Sequence, residues 1–243
     1  MGRVIIVGDA HIDCRGGKRH KQFSSFLDFV CAQKPQALFL TGDIFEFLHG
    51  KGSWVLKNYP DIFKKLENIS KTGTKIFYAY GNHDFNFNLS YAFIKSAPNF
   101  DVLDVAGLKI HFGHGDGVDP SDTKYHFLKK VLRSNLFKLT AYVIPDFILY
   151  SIANFFSSLS RRADSSPYNL MKRSNSYKEH ALNILKQNKL DVVVLGHTHI
   201  PEFCQLKDTN QVYVNPGFFG EDLSYATIDD ANGVYIGIFN KEC

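Results

Sequence analysis

Residues 4–11 read VIIVGDAH: four apolar residues, Gly8, then Asp9 and His11. The same unit recurs four times. ALFLTGD ends in Asp43, IFYAYGN in Asn82, KIHFGH in His114 and VVVLGH in His197. Short β-branched and aromatic runs bounded by glycine are what a sheet covered on both faces shows. Helical stripes lie between them, with Phe23, Phe26, Leu27 and Val30 in 22–33 and Ile62, Leu66 and Ile69 in 61–70. Strand alternates with helix, so the fold class is α/β. In open α/β sheets ligands bind beyond the carboxyl ends of the strands, where all five polar residues fall. The glycine before each is expected to supply a sharp turn at positive φ and room for close approach.

Downstream, VYVNPG, then 224–229 and 234–239 around Asn232-Gly233, read as short strands with a hairpin turn. A second, largely antiparallel sheet packed on the first is expected from them. The 243 residues read as one domain over 1–243, interrupted by a helical insertion at 121–173. No apolar run reaches the length of a membrane span, since 136–159 is broken by Lys138, Pro145 and Asp146. The four cysteines form no C-x-x-C pair, and nothing ahead of the first strand reads as a signal peptide, so the expected location is a reducing cytoplasm.

The strand ends gather Asp9, His11, Asp43, Asn82, His83, Asp84, His114, Asp116, His197 and His199. Oxygen and imidazole donors without thiolate suit hard or borderline divalent ions, Mn²⁺ or Fe²⁺ rather than a structural zinc. Seven ligands exceed the needs of one ion. With Asp43 bridging, two ions roughly 3.5–4 Å apart could clamp the attacking and leaving oxygens of a phosphoryl displacement. In D-x-H and H-x-H an extended backbone would point residues i and i+2 the same way, so Asp9 with His11 and His197 with His199 are each expected to face one pocket. Taken singly, each residue has a plainer reading as a helix cap, a core histidine or a turn; the combination carries the argument.

The blocks G-D-A-H, G-D-I-F, G-N-H-D, H-G-D and G-H-T-H resemble, in order and spacing, the signature of the calcineurin-like metallophosphoesterases, over residues 4–216. The resemblance implies a two-sheet β-sandwich flanked by helices and two divalent metal ions. Asp9, His11, Asp43 and His199 would hold the first, and Asp43, Asn82, His114 and His197 the second. Within that family the chain is similar to the branch that hydrolyses UDP-2,3-diacylglucosamine, a lipid-linked sugar nucleotide of lipid A synthesis. The likeness lies in total length, in G-D-I-F-E-F at 42–47, in Asp122 and Tyr125 after H-G-D, and in the long insertion before G-H-T-H-I-P. Two features depart from that branch: His83 stands where it typically has Arg, and Leu48-His49-Gly50-Lys51 where it tends to have Trp and G-D-D.

Residues 121–180 hold ten Lys or Arg against four acids, net +6, and the rest of the chain is −2. That asymmetry suggests an anionic partner. From Phe127 to Leu159 apolar residues recur at helical spacings, flanked by Lys129, Lys130, Arg133, Arg161 and Arg162. Two readings stand: a lid packing on the sheets, or a surface of 127–162 that meets acyl chains or the inner membrane from its cytoplasmic side. Lys172 and Arg173, read as part of a polar basic loop, are candidates to hold the diphosphate together with Asp122 and Tyr125. His83 is the candidate to stabilise or protonate the leaving oxygen, with Asp84 orienting its ring. The alternatives are a general nucleotide or nucleic-acid phosphodiesterase and a non-catalytic membrane-binding scaffold. No nucleic-acid partner is expected, because aromatic and basic residues do not interleave along a strand groove.

Overall fold

The computed structural model describes residues 2–14, 16–49, 57–85, 91–118, 130, 134, 143–145, 148, 151, 167–229 and 233–240. In chain order the elements are β1 (Val4–Val7), α1 (Lys18–Gln33), β2 (Ala37–Leu40), β3 (Leu48–His49), α2 (Pro60–Lys71), β4 (Lys75–Ala79), β5 (Asp84–Phe85), β6 (Ile94–Ala97), β7 (Asn99–Val105) and β8 (Leu108–Gly113). They continue with α3 (Pro167–Asn188), β9 (Val192–Leu195), β10 (Glu202–Gln205), β11 (Val212–Asn215), α4 (Phe219–Asp222), β12 (Ser224–Asp229) and β13 (Gly233–Ile238). Two mixed sheets carry the structure, ordered β13-β12-β1-β2-β4-β6 and β10-β11-β9-β8-β7.

Strand alternation explains the layering. Val4 and Ile6 of β1 face the interior of the sandwich with Phe39, Phe77, Ile110, Phe112, Val192 and Val194, whereas Ile5 and Val7 face α1 and α2 on the outer side. On the far side Val193, Leu195 and Tyr213 pack against Tyr177, Ala181 and Leu185 of α3. The order is therefore helix, sheet, sheet, helix. The abundance of Phe is used in the layers: Phe39 and Phe112 sit 4.7 Å apart between the sheets, and Phe26 meets Phe219 at 4.8 Å beneath α1. Each such buried side chain contributes roughly 1.5–3 kcal/mol. α2 starts on Pro60 with Asp61 in its first turn and Lys71 in its last, arrangements that suit a helix start and the helix dipole.

Three expectations are corrected. The C-terminal strands do not build the second sheet by themselves. β11 joins it parallel to β9, but β12 lies antiparallel to β1 in the first sheet and carries β13 with it, because Ala226 and Ile228 complete the inter-sheet core. The five glycine-ended strands are also split, with β1, β2 and β4 in one sheet and β8 and β9 in the other. Finally, the polar basic stretch is helix: α3 starts at Pro167 and runs through Lys172 and Arg173, past the expected end of the insertion at 173. Its buried residues Ser174, Tyr177, Ala181 and Leu185 form one stripe against the second sheet. Asp122, Tyr125 and most of 127–162 lie outside the described residues; within that stretch Ile144 packs against the core under α1 and α2, while Val143 is exposed.

The glycines at the strand ends serve mainly close approach. Only Gly42 of the five has positive φ, +90°. A Cβ at Gly8 would collide with the Thr41 side chain, and one at Gly81 with the Asp43 carboxylate. At Gly42 it would lie 2.6 Å from the Gly81 nitrogen and 2.9 Å from the Ala79 oxygen. Gly73, at φ +96°, has open space around the same position. Gly73→Ala is therefore expected to cost only backbone strain, about 1–2 kcal/mol, and Gly42→Ala that strain plus overpacking, about 3 kcal/mol or more; urea midpoints of the two variants measure the difference.

Candidate metal centre

The parallel strands of both sheets end at one rim, and the loops beyond them are tied together by backbone. Asp9 N–H donates to the Gly42 carbonyl at 3.1 Å, His11 N–H to the Asp43 carbonyl at 3.0 Å, and Gly196 N–H to the His114 carbonyl at 2.9 Å. Bonds also cross between the sheets, among them His114 Nδ1 with the Thr41 carbonyl at 2.7 Å and His197 N–H to Asp9 Oδ2 at 3.1 Å. Asn215, on β11, donates through Nδ2 to the Gly196 carbonyl and Thr198 Oγ1 and accepts from Gly217 N–H, fixing the H-x-H loop.

Three groups of donor atoms result: Asp9 with His11 and His199, His11 with Asp43 and His83, and Asp43 with His114 and His197. Asp43 belongs to two of them. Around His114 Nε2 lie Asp43 Oδ2 at 3.4 Å, Asn82 Oδ1 at 3.2 Å and His197 Nδ1 at 3.1 Å. His199 Nε2 is 3.2 Å from Asp9 Oδ1. All seven residues expected as ligands thus reach the same rim. The donors also fit a cation: both ring nitrogens of His11 are buried and make no hydrogen bond, with Glu46 Oε2 3.7 Å from Nδ1, an expensive state for buried polar atoms. The Thr41 carbonyl takes the Nδ1–H of His114 and leaves Nε2 as the ligating atom, as second-layer carbonyls commonly do.

The backbone is not extended here, contrary to expectation. Asp9, His11, Asp43, His197 and His199 all have φ between 44° and 70°, in the left-handed region. Each D-x-H or H-x-H pair converges through two left-handed residues rather than through strand alternation. Asp, Asn and His tolerate that conformation better than other non-glycine residues.

Electrostatics follow from burial. Burial, with the neighbouring His83, pushes the His11 pKa well below the ordinary value. Burial and the charge on His114 push His197 down to about 3. For His114 burial acts downward too, but the Asp43 carboxylate outweighs it and raises the group to about 10. Neutral His11 and His197 are in the form that ligates metal.

Asp84 does not orient the His83 ring as expected. The His83 ring is oriented by the Glu46 carbonyl, 2.8 Å from Nδ1, and its Nε2 lies 4.0 Å from Asp43 Oδ2. Asp84 instead faces inward: Oδ1 accepts from Tyr78 OH at 2.9 Å, and Oδ2 from Gly81 N–H at 2.7 Å and Asp43 N–H at 3.3 Å. It holds the Asp43 and Asn82 loops rather than the His83 ring. Burial and the Asp43 charge raise its pKa to about 7.

Lys172 is exposed and Arg173 half-buried. Arg173 sits one turn before Tyr177, whose ring is parallel to that of His197 at 6.0 Å; Lys172 points about 140° away around the helix. Sequence reasoning missed Tyr177, Glu46, whose Oε2 is 3.7 Å from His11 Nδ1, and Phe218, stacked on His199. None is near a ligand in sequence except Glu46, three residues after Asp43.

Comparison with known proteins agrees with this geometry. UDP-2,3-diacylglucosamine hydrolase of Blochmanniella pennsylvanica is 28% identical over 203 residues, covering 82% of this chain and 79% of that one. The protein of the same name from Pseudomonas aeruginosa is 26% identical over 211 residues, covering 82% of each. A solved structure described as a novel archaeal phosphodiesterase shares the fold at a TM-score of 0.51 and 13% identity, over 98% of this chain and 99% of that one. The model of the calcineurin-like phosphoesterases matches residues 2–201, and the chain belongs to that family.

Proposed function

We propose that this protein hydrolyses the pyrophosphate of UDP-2,3-diacylglucosamine, giving UMP and 2,3-diacylglucosamine 1-phosphate. The observation that carries the reading is the meeting of two donor groups on Asp43 in a chain whose relatives bear that enzyme's name along about four-fifths of their length. In this reading Asp9, His11, Asp43 and His199 hold one divalent ion, and Asp43, Asn82, His114 and His197 the other. Mn²⁺, or Fe²⁺, would supply Lewis-acid stabilisation of phosphoryl charge and an activated water.

The chain's own groups do the rest. Water oxygen bonds to phosphorus, the bridging P–O bond breaks, and the leaving oxygen takes a proton. His83 is the group assigned to give it, while the attacking water sheds its own proton to solvent: the His83 Nδ1–H is committed to the Glu46 carbonyl, so the proton to be delivered is one carried on Nε2, on the Asp43 side. Asp84 is a positioning residue, fixing the Asp43 backbone nitrogen and the Gly81 turn. Arg173, on the Tyr177 side of α3, is better placed for the diphosphate than Lys172; Asp122 and Tyr125 complete the substrate contacts. The basic and apolar segment 127–162 serves acyl chains or the cytoplasmic face of the inner membrane. No described helix is long and apolar enough to cross a membrane. His83 in the place of Arg favours one second reading, a phosphodiesterase acting on another nucleotide.

Asp43→Asn is expected to fold, to bind less than one equivalent of Mn²⁺ by elemental analysis, and to lose turnover. Comparable activity in that variant would refute the shared-ligand model. His83→Ala should keep its metal and lose about 10²- to 10⁴-fold in kcat, the usual worth of a positioned acid. Mass spectrometry of products from UDP-2,3-diacylglucosamine and from a generic aryl phosphodiester separates the two substrate readings. Rapid UMP release with weak generic turnover is expected, and the reverse result selects the second.

A further inference from the structure

We infer that Phe218 is a positioning residue that fixes the imidazoles of His199 and His11 for metal binding; this rests on the reading of those two as ligands. The Phe218 ring stacks on His199 with centroids 4.3 Å apart and planes at 25°, and meets His11 edge-on at 5.8 Å. It touches both histidines of the first expected ion. His199 needs such a wall: its side chain is 35% exposed, against 5% for His11 and 0% for His114, and its Nε2 is held toward the site by Asp9 Oδ1 at 3.2 Å. A stacked ring removes rotamers that would swing Nε2 away from Asp9.

Phe218 is itself built into place. The turn that follows it is bonded to the first ligand loop, Gly220 N–H donating to the Asp9 carbonyl at 3.1 Å. A Cβ on Gly220 would come within 2.6 Å of the Phe218 ring and 2.8 Å of the Ala10 carbonyl, so glycine there lets ring and loop close together. Arg19 of α1 lies 5.3 Å over the ring while its Nε donates to the Gly220 carbonyl at 3.1 Å and Nη2 to Glu221 at 3.1 Å. Helix α1, the Phe218 turn and the D-x-H loop are thereby one packed unit behind the first ion's ligands.

The test is stepwise Mn²⁺ titration of metal-free full-length protein by calorimetry, which does not depend on turnover. Phe218→Ala should weaken one of two binding steps by about 10-fold or more, the usual effect of losing an outer support of a ligand, and leave the other unchanged. Phe218→Tyr, which keeps the ring, should restore wild-type affinity. If Phe218→Ala fails to fold, Phe218→Leu, which keeps apolar bulk without a flat face, carries the same expectation. Wild-type affinities in the folded Ala or Leu variant overturn the proposal alone, as does weakening shared equally by both steps. Wild-type protein that binds no Mn²⁺ overturns the metal reading and the proposal with it.

Discussion

Burying the Asp43 carboxylate at the junction of two sheets carries a desolvation penalty that only opposite charge and hydrogen bonds offset. The fold supplies both. His83 N–H donates to Oδ1 at 2.8 Å, and His114 faces Oδ2 at 3.4 Å. Burial alone would raise the pKa of Asp43, yet the histidines around it bring the pKa well below the ordinary value. Gly81 is bare because that carboxylate lies where its side chain would stand. Asp84 braces the backbone nitrogen of the same residue from behind. The sandwich is thus organised so that one acidic group is reached from β2, from the β4 loop and, through His114 and His197, from the second sheet.

Backbone strain concentrates at the same rim. Among the described residues, ten other than glycine have positive φ, and five of them are Asp9, His11, Asp43, His197 and His199. At about 1–2 kcal/mol each, such conformations persist only where the surroundings determine them. Here they do, since the loops are cross-bonded to one another and backed by the most buried strands. The return is preorganisation: donor atoms meet without waiting for a ligand to gather them, and the strain is carried by layers whose stability comes from apolar packing elsewhere.

What was legible in the sequence is what is local. Apolar runs ending in glycine and a polar residue mark β1, β2, β4, β8 and β9 because burial on both faces leaves little freedom of composition. The seven rim residues follow from those ends. Sheet membership was not legible, since β12 lies against β1 across more than two hundred residues, and nothing near Ala226 states that partner. The φ values were misjudged for a related reason: glycine was read as a conformational device, whereas at Gly8, Gly81, Gly113 and Gly196 it clears space for a neighbour from another strand. Lys172 and Arg173 looked like loop because Ser and Asn surround them. Pro167 at the helix start and the stripe of Ser174, Tyr177, Ala181 and Leu185 were the available signal, and packing on β9 and β11 decides it. Phe218 and Tyr177 reach the site only through tertiary packing.

Helix α3 shows why scaffold and site cannot be separated in this fold. Its buried stripe covers the second sheet, yet Tyr177 on that stripe lies parallel to His197, and the middle residue of the H-G-D turn, Gly115, has no room for a side chain because a Cβ there would come within 2.8 Å of the Tyr177 ring. One turn before Tyr177, Ser174 donates to Glu202 Oε2 at 2.7 Å, and the residue after it, Lys178, pairs with Oε1 at 2.8 Å. Glu202 is three residues beyond His199, so the helix grips both sides of the H-x-H loop, by ring contact at its first histidine and by a two-point carboxylate clamp just past its second. Charge-assisted bonds to one partly buried carboxylate are directional in a way that apolar packing is not. A rotation of α3 that apolar burial would tolerate is therefore resisted by Glu202, and the position of the His197 ring is determined by the same helix that closes the outer face of the sandwich.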